Sequence, residues 1–231
     1  MSRVVVVTGA NCGLGLEVAR QLARRGDQVF LGSRDEVAGK AAAAALPSDG
    51  HEVVALQLDV TDERSIAGAA ALVDERCGRL DALVNNAGAD YDTWERAVSV
   101  DFATVDHALG TNLVGAWRTA VAFLPLLRRS AHPRIVNVSS QSGSLASMGA
   151  GTPAYAVSKA GLNALTRVLA AELRSERILV NSVCPGWVAT DMGGPGGRPV
   201  ADGAASILWG VDLPDGGPSG GFYRDGRPLP W

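Results

Sequence analysis

Cysteine, histidine, excess positive charge and long apolar runs are all scarce in this sequence, and each scarcity excludes something. Three cysteines among 231 residues, Cys12, Cys77 and Cys184, are odd in number and widely separated. That pattern does not make a disulfide framework; it suits reduced thiols and a cytoplasmic setting. The three histidines, His51, His107 and His132, stand alone. No pair of cysteines has metal-ligand spacing, so no metal is expected. Lys plus Arg number 21 against 24 Asp plus Glu, a net charge of −3, which offers nucleic acid no attractive field. No apolar run approaches the roughly 20 residues that cross a bilayer, so no membrane partner is expected. The opening Met1-Ser2-Arg3 runs into a short β-branched segment and lacks the apolar region and cleavage site of a signal peptide.

What is present is an ordinary globular balance, 47% hydrophobic and 19% charged residues. It suits a single domain with a substantial core. Val4–Val7 is a fully apolar run, as a buried parallel strand requires. Thr8-Gly9-Ala10-Asn11-Cys12-Gly13-Leu14-Gly15 follows, and then helical periodicity to Arg25, apolar at Leu14, Val18, Ala19 and Leu22. Strand, glycine turn and helix N-terminus together suit a pyrophosphate, because free N–H groups and the helix dipole face the anion. The spacing is GxxxGxG rather than GxGxxG, a weak pattern taken alone and a stronger one at a first strand–helix junction.

The alternation continues. Strands are expected at 28–33, 52–58, 80–84, 133–138 and 178–184, with an edge strand over Gly220 to Tyr223. Helices are expected at 36–46 after an Asp35 cap, 62–77, 106–129, from Tyr155 to about Ser175, and 201–210. The irregular stretch from Ala89 to Val105 leaves room for a short helix near Trp94. This βαβ pattern calls for a doubly wound, Rossmann-type parallel sheet of about seven strands with helices on both faces. Ligands in such sheets bind at the carboxyl ends of the strands. The Gly13 turn, Arg34, Asp59 and Asn86 all fall at such ends. Arg34 stands where the fold chooses its adenosine ribose, and an arginine there accommodates a 2′-phosphate. Met192 to Pro199 is rich in glycine and proline, follows a strand end, and reads as a substrate lid within residues 190–202.

Tyr155 and Lys159 are four residues apart, which places them one turn apart on one helix face. A phenol has a pKa of about 10, and a fixed cation nearby is expected to lower it. The pair then becomes a plausible general acid/base. Asn112 falls mid-helix among Leu113, Val114 and Trp117 and needs hydrogen-bond partners.

Five stretches carry a family resemblance: Thr8-Gly9 with Gly13 and Gly15; Asp59-Val60; Asn85-Asn86-Ala87-Gly88; Ser140 with Tyr155 and Lys159; and Pro185-Gly186 with Val188 and Thr190. They stand in the order found in the short-chain dehydrogenase/reductases, which the chain resembles over essentially its full length. Arg34, the stretch Ser139 to Ser144 and the ending Gly220 to Asp225 resemble the carbonyl-reductase-like branch. The resemblance implies an NADP(H)-dependent oxidoreductase that interconverts a carbonyl compound and its alcohol, with Asn112, Ser140, Tyr155 and Lys159 as the catalytic set. Ser140 is preferred to Ser139 because the family's serine precedes a glycine by three positions, here Gly143. Asn112 would hold a water that links Lys159 to solvent.

The resemblance further implies that Gly9, Asn11, Cys12, Gly13, Leu14 and Gly15 wrap the pyrophosphate and adenosine side. Asp59 and Val60 border the adenine, and Asn86, Ala87 and Gly88 pack on the adenosine half. Pro185, Gly186, Val188 and Thr190 contact the nicotinamide, while Tyr155 and Lys159 touch its ribose end. Many NADP-preferring relatives carry a basic residue at the position of Cys12. Here Arg34 stands alone, so NADP(H) is preferred and NAD(H) is possible; Cys12 is expected to be a small packing residue. Monomeric carbonyl reductases carry a long insertion before the tyrosine. This chain has none between Ser140 and Tyr155, which implies a homodimer or homotetramer built on the helices of Asp106 and Tyr155. Leu145, Met148 and Trp94 either favour an apolar carbonyl substrate or belong to the core. The alternatives are an NAD(H)-preferring alcohol dehydrogenase, an epimerase working by transient oxidation, and a dinucleotide-binding regulatory protein without turnover.

Overall fold

The computed structural model describes residues 2–46, 53–89 and 91–231. Glu52, where the third strand is expected to start, His51 and Asp90 lie outside the described residues.

The four consecutive valines of β1 (Val4–Val7) are stiff at χ1 and favour a pleated, buried surface. They form the centre of an eight-stranded sheet. The others are β2 (Gln28–Ser33), β3 (Val54–Gln57), β4 (Ala82–Asn85), β5 (Arg134–Val138), β6 (Leu179–Val183), β7 (Phe222–Arg224) and β8 (Arg227–Pro228). The order across the sheet is β3-β2-β1-β4-β5-β6-β7-β8. All neighbours are parallel except β7 and β8, which form an antiparallel hairpin. The expected edge strand is therefore one place in from the edge, because residues 227–228 fold back on it.

Successive side chains of a strand point to opposite faces, and β1 divides its valines accordingly. Val4 and Val6 enter a core with Phe30, Leu83, Phe123, Leu162 and Ile135. Val5 and Val7 enter a second core with Val18, Leu22, Leu31, Val84 and Ile207. The first core lies under α3 (Glu63–Cys77), α5 (Ala116–Leu127) and α6 (Pro153–Glu172). The second lies under α1 (Gly13–Arg24), α2 (Glu36–Ala44) and α7 (Val200–Val211). Each fully buried valine contributes about 1.5–3 kcal/mol relative to exposure, so the sheet centre is strongly held. The chain reverses its winding direction between β1 and β4, which opens a crevice at the carboxyl ends of those strands.

Two helical expectations are corrected. The helix placed at 106–129 begins earlier, as α4 (Phe102–Leu109), because the Asp101 carboxylate accepts a hydrogen bond from the Ala103 N–H. It passes through a π-helical turn, Gly110–Gly115, before continuing as α5 to Leu127. Near Trp94 there are turns rather than a helix. Asp35 does cap α2, accepting from the N–H groups of Val37 and Ala38.

Candidate active site

The turn after β1 is held by groups at the end of β4. The Thr8 hydroxyl accepts hydrogen bonds from the Asn86 and Ala87 N–H groups, both at 2.9 Å. The Asn86 side chain donates to the Thr8 and Gly9 carbonyls at 2.9 and 3.0 Å. Two glycines make this approach possible. Gly9 has φ +60°, and a Cβ there would sit 2.8 Å from the Ala87 Cα; a Cβ at Gly15 would sit 2.5 Å from the Gly9 carbonyl oxygen. Helix α1 starts at Gly13 without a side-chain cap from Cys12. Its first N–H groups and the positive end of its dipole thus face the crevice beside Asn11 and Leu14. A Cβ on Gly13 would lie 3.7 Å from the Thr190 Cγ2, so the loop after β6 closes over this turn. The Cys12 side chain is exposed; it is not the packing residue expected from its size.

At the end of β2, Arg34 is exposed. It faces Asp59 at the end of β3. Burial pushes the Asp59 carboxyl up, but hydrogen bonds from the Thr61 hydroxyl and N–H, and the Arg34 guanidinium, outweigh it and hold the group below its usual range. Asp35, spent on capping α2, offers no carboxylate to a ribose. Val60 is buried and touches the π-helical turn, where a Cβ on Gly115 would fall 2.8 Å from its Cγ2.

The reactive groups gather where β4 and β5 end. The Ser140 hydroxyl lies close enough to the Tyr155 phenol to lower its pKa. Ser139 is turned away and donates to Asn163 on α6 at 2.7 Å. Lys159, only 4% exposed, places its Nζ 5.5 Å from the Tyr155 ring centroid and donates to the Val138 carbonyl at 2.8 Å. Asn112, projected inward by the π-helical turn, accepts from the Ala89 N–H and donates to the Ala89 carbonyl and the Ser158 hydroxyl. A Cβ on Gly88 would come within 3.5 Å of the Asn112 Oδ1 and 3.9 Å of the Lys159 Nζ.

The electrostatics correct one expectation. Burial pushes the Tyr155 phenol up to about 12, against the Ser140 hydroxyl that lowers it; Cys184 and Tyr91 push it further up. Burial also brings the Lys159 ammonium down to about 8, with Cys184 acting the other way. Proximity of a cation does not lower the phenol here, because the same burial that weakens the ammonium also disfavours the phenolate.

Sequence reasoning missed Asp92. Its side chain is fully buried and accepts from the Ala154 and Tyr155 N–H groups at 2.9 and 3.1 Å. Thr152, at the N-cap position of α6, is left-handed (φ +43°) and makes no side-chain cap. Asp92 supplies that cap from another segment, while Tyr91 packs edge-on against Tyr155 at 5.2 Å. The loop after β6 is likewise well built. Gly186 has φ +82°; Pro185 accepts from Arg198; Val188 is buried; and Trp187 donates to the Gly193 carbonyl. The 190–199 stretch closes on itself through the backbone of residues 187–189 and is fastened to Asp225 by Arg198. Trp94, Leu145 and Met148 are exposed and take no part in the core.

The glycine cradle, the open helix N-terminus and the Arg34–Asp59 pair fit a nicotinamide dinucleotide. Fold and site together define a class: a doubly wound parallel-sheet protein whose polar groups converge at one crevice. The short chain dehydrogenase family matches residues 3–198, and the chain belongs to that family of nicotinamide-dependent oxidoreductases acting on carbonyl and alcohol groups. It is 37% identical to short-chain dehydrogenase/reductase 1 of Saponaria officinalis over 292 aligned positions, covering 99% of this chain and 96% of that protein. That alignment is longer than this chain, so the relative carries segments that this one lacks. It is 33% identical to carbonyl reductase [NADPH] 1 of Bos taurus, covering 99% and 98%. The NADPH-bound carbonyl reductase from chicken fatty liver superposes with a TM-score of 0.86 at 31% identity, over 100% of this chain and 99% of that one.

Proposed function

We propose that this chain reduces a carbonyl compound to its alcohol with NADPH, and runs the reverse reaction with NADP+. The observation that carries the reading is the Ser140–Tyr155 hydroxyl pair beside a buried lysine, at the mouth of a crevice whose opposite end suits a dinucleotide. When bound, the reduced nicotinamide supplies hydride. Ser140 and Tyr155 converge on the carbonyl oxygen and donate hydrogen bonds as negative charge develops there. The Tyr155 proton then passes to that oxygen. Lys159 faces the phenol ring and holds positive charge beside it. Asn112 holds the end of β4 and α6 in place through Ala89 and Ser158. Consumption of NADPH with a panel of aldehydes and ketones tests the reading; a full panel without turnover, while the cofactor still binds, would favour the regulatory alternative.

NADP(H) preference rests on Arg34, with no carboxylate at the ribose position. Arg34→Ala is expected to raise the KM for NADPH about 10- to 100-fold, the loss of one or two charge-assisted hydrogen bonds. The KM for NADH should change little. Equal changes for the two cofactors would remove Arg34 from 2′-phosphate recognition.

Self-association is proposed on α4, α5 and α6, where Phe102, Trp117, Val121, Val157 and Val168 are exposed. Apolar residues gathered on helix faces in this way mark an association surface. Light scattering should give a multiple of the 23.8 kDa chain mass; a monomer at micromolar concentration contradicts it.

A further inference from the structure

We propose that the site contains a second recognition point, for an acceptor oxygen elsewhere on the substrate, supplied by the Gln141 amide. The proposal rests on the reduction reading above and narrows its substrate class to carbonyl compounds that carry a second oxygen, such as keto esters and diketones.

A cavity of about 300 Å³ opens between the residues after Ser140 and those flanking Tyr155. Its lining includes Gln141, Ser142, Ser147, Met148, Thr152 and Ala156. The lining is largely polar; it does not include Ser140 or Tyr155, each of which is next in sequence to a lining residue. One wall is held in place: the Ala146 N–H donates to the Trp231 carbonyl at 2.7 Å, and the Ser144 hydroxyl donates to the Pro230 carbonyl at 2.8 Å.

The direction of the Gln141 amide is decided by its neighbour. Arg224 Nη2 lies 2.8 Å from the Gln141 Oε1. A guanidinium has donors and no acceptor, so only the amide oxygen can face it. The two amide N–H groups then point away from Arg224, and they have no hydrogen-bond partner among the described residues. Arg224 is itself restrained. Its Nη2 also contacts the Cys184 Sγ at 3.0 Å, and its buried Nε has no partner. No carboxylate pairs with it among the described residues, so its charge adds to the pull on an electron-rich substituent. Gln141 therefore presents donors one residue beyond Ser140. A substrate whose carbonyl sits on Ser140 and Tyr155 can place a second oxygen there.

The test compares ethyl 3-oxobutanoate with heptan-2-one, which lacks the second oxygen. The readout is the ratio of their kcat/KM values with NADPH. Gln141→Leu removes the donors at similar volume; Gln141→Glu keeps the Arg224 contact but presents no N–H. Both are expected to lower the preference for the keto ester about 10-fold, the loss of one neutral hydrogen bond. A preference unchanged in both variants, or equal losses for the two substrates, overturns the proposal. Binding of the keto ester to NADP+-saturated protein, measured by calorimetry, separates this from failure of the reduction reading. Affinity that falls in Gln141→Leu, with no turnover in any variant, supports the subsite and sinks the reductase assignment. Affinity that does not change sinks the subsite.

Discussion

Tyr155→Phe is expected to reduce carbonyl compounds about 10³-fold more slowly than the wild type, within the range for removing a positioned general acid. The substitution deletes one oxygen. The ring keeps its edge-on contact with Tyr91 at 5.2 Å, and the helix keeps its Asp92 cap. Cofactor affinity should therefore stay within a few-fold, and the loss should fall on kcat. The direction of the pKa shift fits the role of acid. A phenol pushed up to about 12 retains its proton across the neutral range, so the reducing direction begins with the proton in place. The oxidising direction needs the phenolate and should accelerate as pH rises. Lys159 adds a limb of its own. Its ammonium, brought down to about 8, is charged below that pH and neutral above it. Carbonyl reduction should thus decline above about pH 8 as the positive charge beside the ring is lost. A Tyr155→Phe protein with more than a tenth of wild-type activity would remove the phenol from the chemistry.

The second large effect is expected at Gly143, which touches no substrate. A Cβ there would lie 2.6 Å from the Lys159 carbonyl carbon and 2.8 Å from the Ala160 nitrogen. Those are backbone atoms of α6, and unlike the end of a flexible side chain they cannot swing aside. Gly143→Ala must therefore move the Ser140 turn away from the helix of Tyr155 and Lys159. Overpacking of this kind costs about 1–3 kcal/mol, which in a chain of this size lowers the Tm by roughly 2–10 °C. Displacement of Ser140 by about 1 Å should lower kcat about 100-fold. An unchanged melting temperature with full activity would show that the turn has room that the geometry denies it.

Gly143 also explains why much of the site was legible in the sequence. The family resemblance picks out Ser140 by its spacing to Gly143, and the turn there comes down on α6 where a side chain would not fit. The glycines at 9 and 15 are readable for the same reason, since each marks a close approach to backbone atoms, whereas Gly13 is set by its φ of +53°. Alternating apolar runs and helical periods gave the parallel sheet because β1, β4, β5 and β6 are buried along their whole length, while β3 at the edge is not.

The parts that were not legible depend on contacts between distant segments. Nothing in a loop containing Tyr91 and Asp92 announces that its carboxylate will cap a helix some sixty residues later in the chain. The π-helical turn is silent because residues 110–115 fit a continuous helical pattern. The start at Phe102 was hidden because that side chain is exposed and marks no apolar face. Spacing places Lys159 near Tyr155, but it does not reveal that the ammonium is buried and turns to the Val138 carbonyl.

The Asp92 cap has a consequence for anyone who would redesign this enzyme. The segment that carries Tyr91 and packs against Tyr155 is a natural one to exchange for altered selectivity. In this chain it also fastens the first turn of the helix that bears Tyr155. A graft that omits an acceptor at that spot would let the turn fray, so a change made in this segment would be felt at Tyr155. Libraries made there should keep the carboxylate fixed and vary the residues around it.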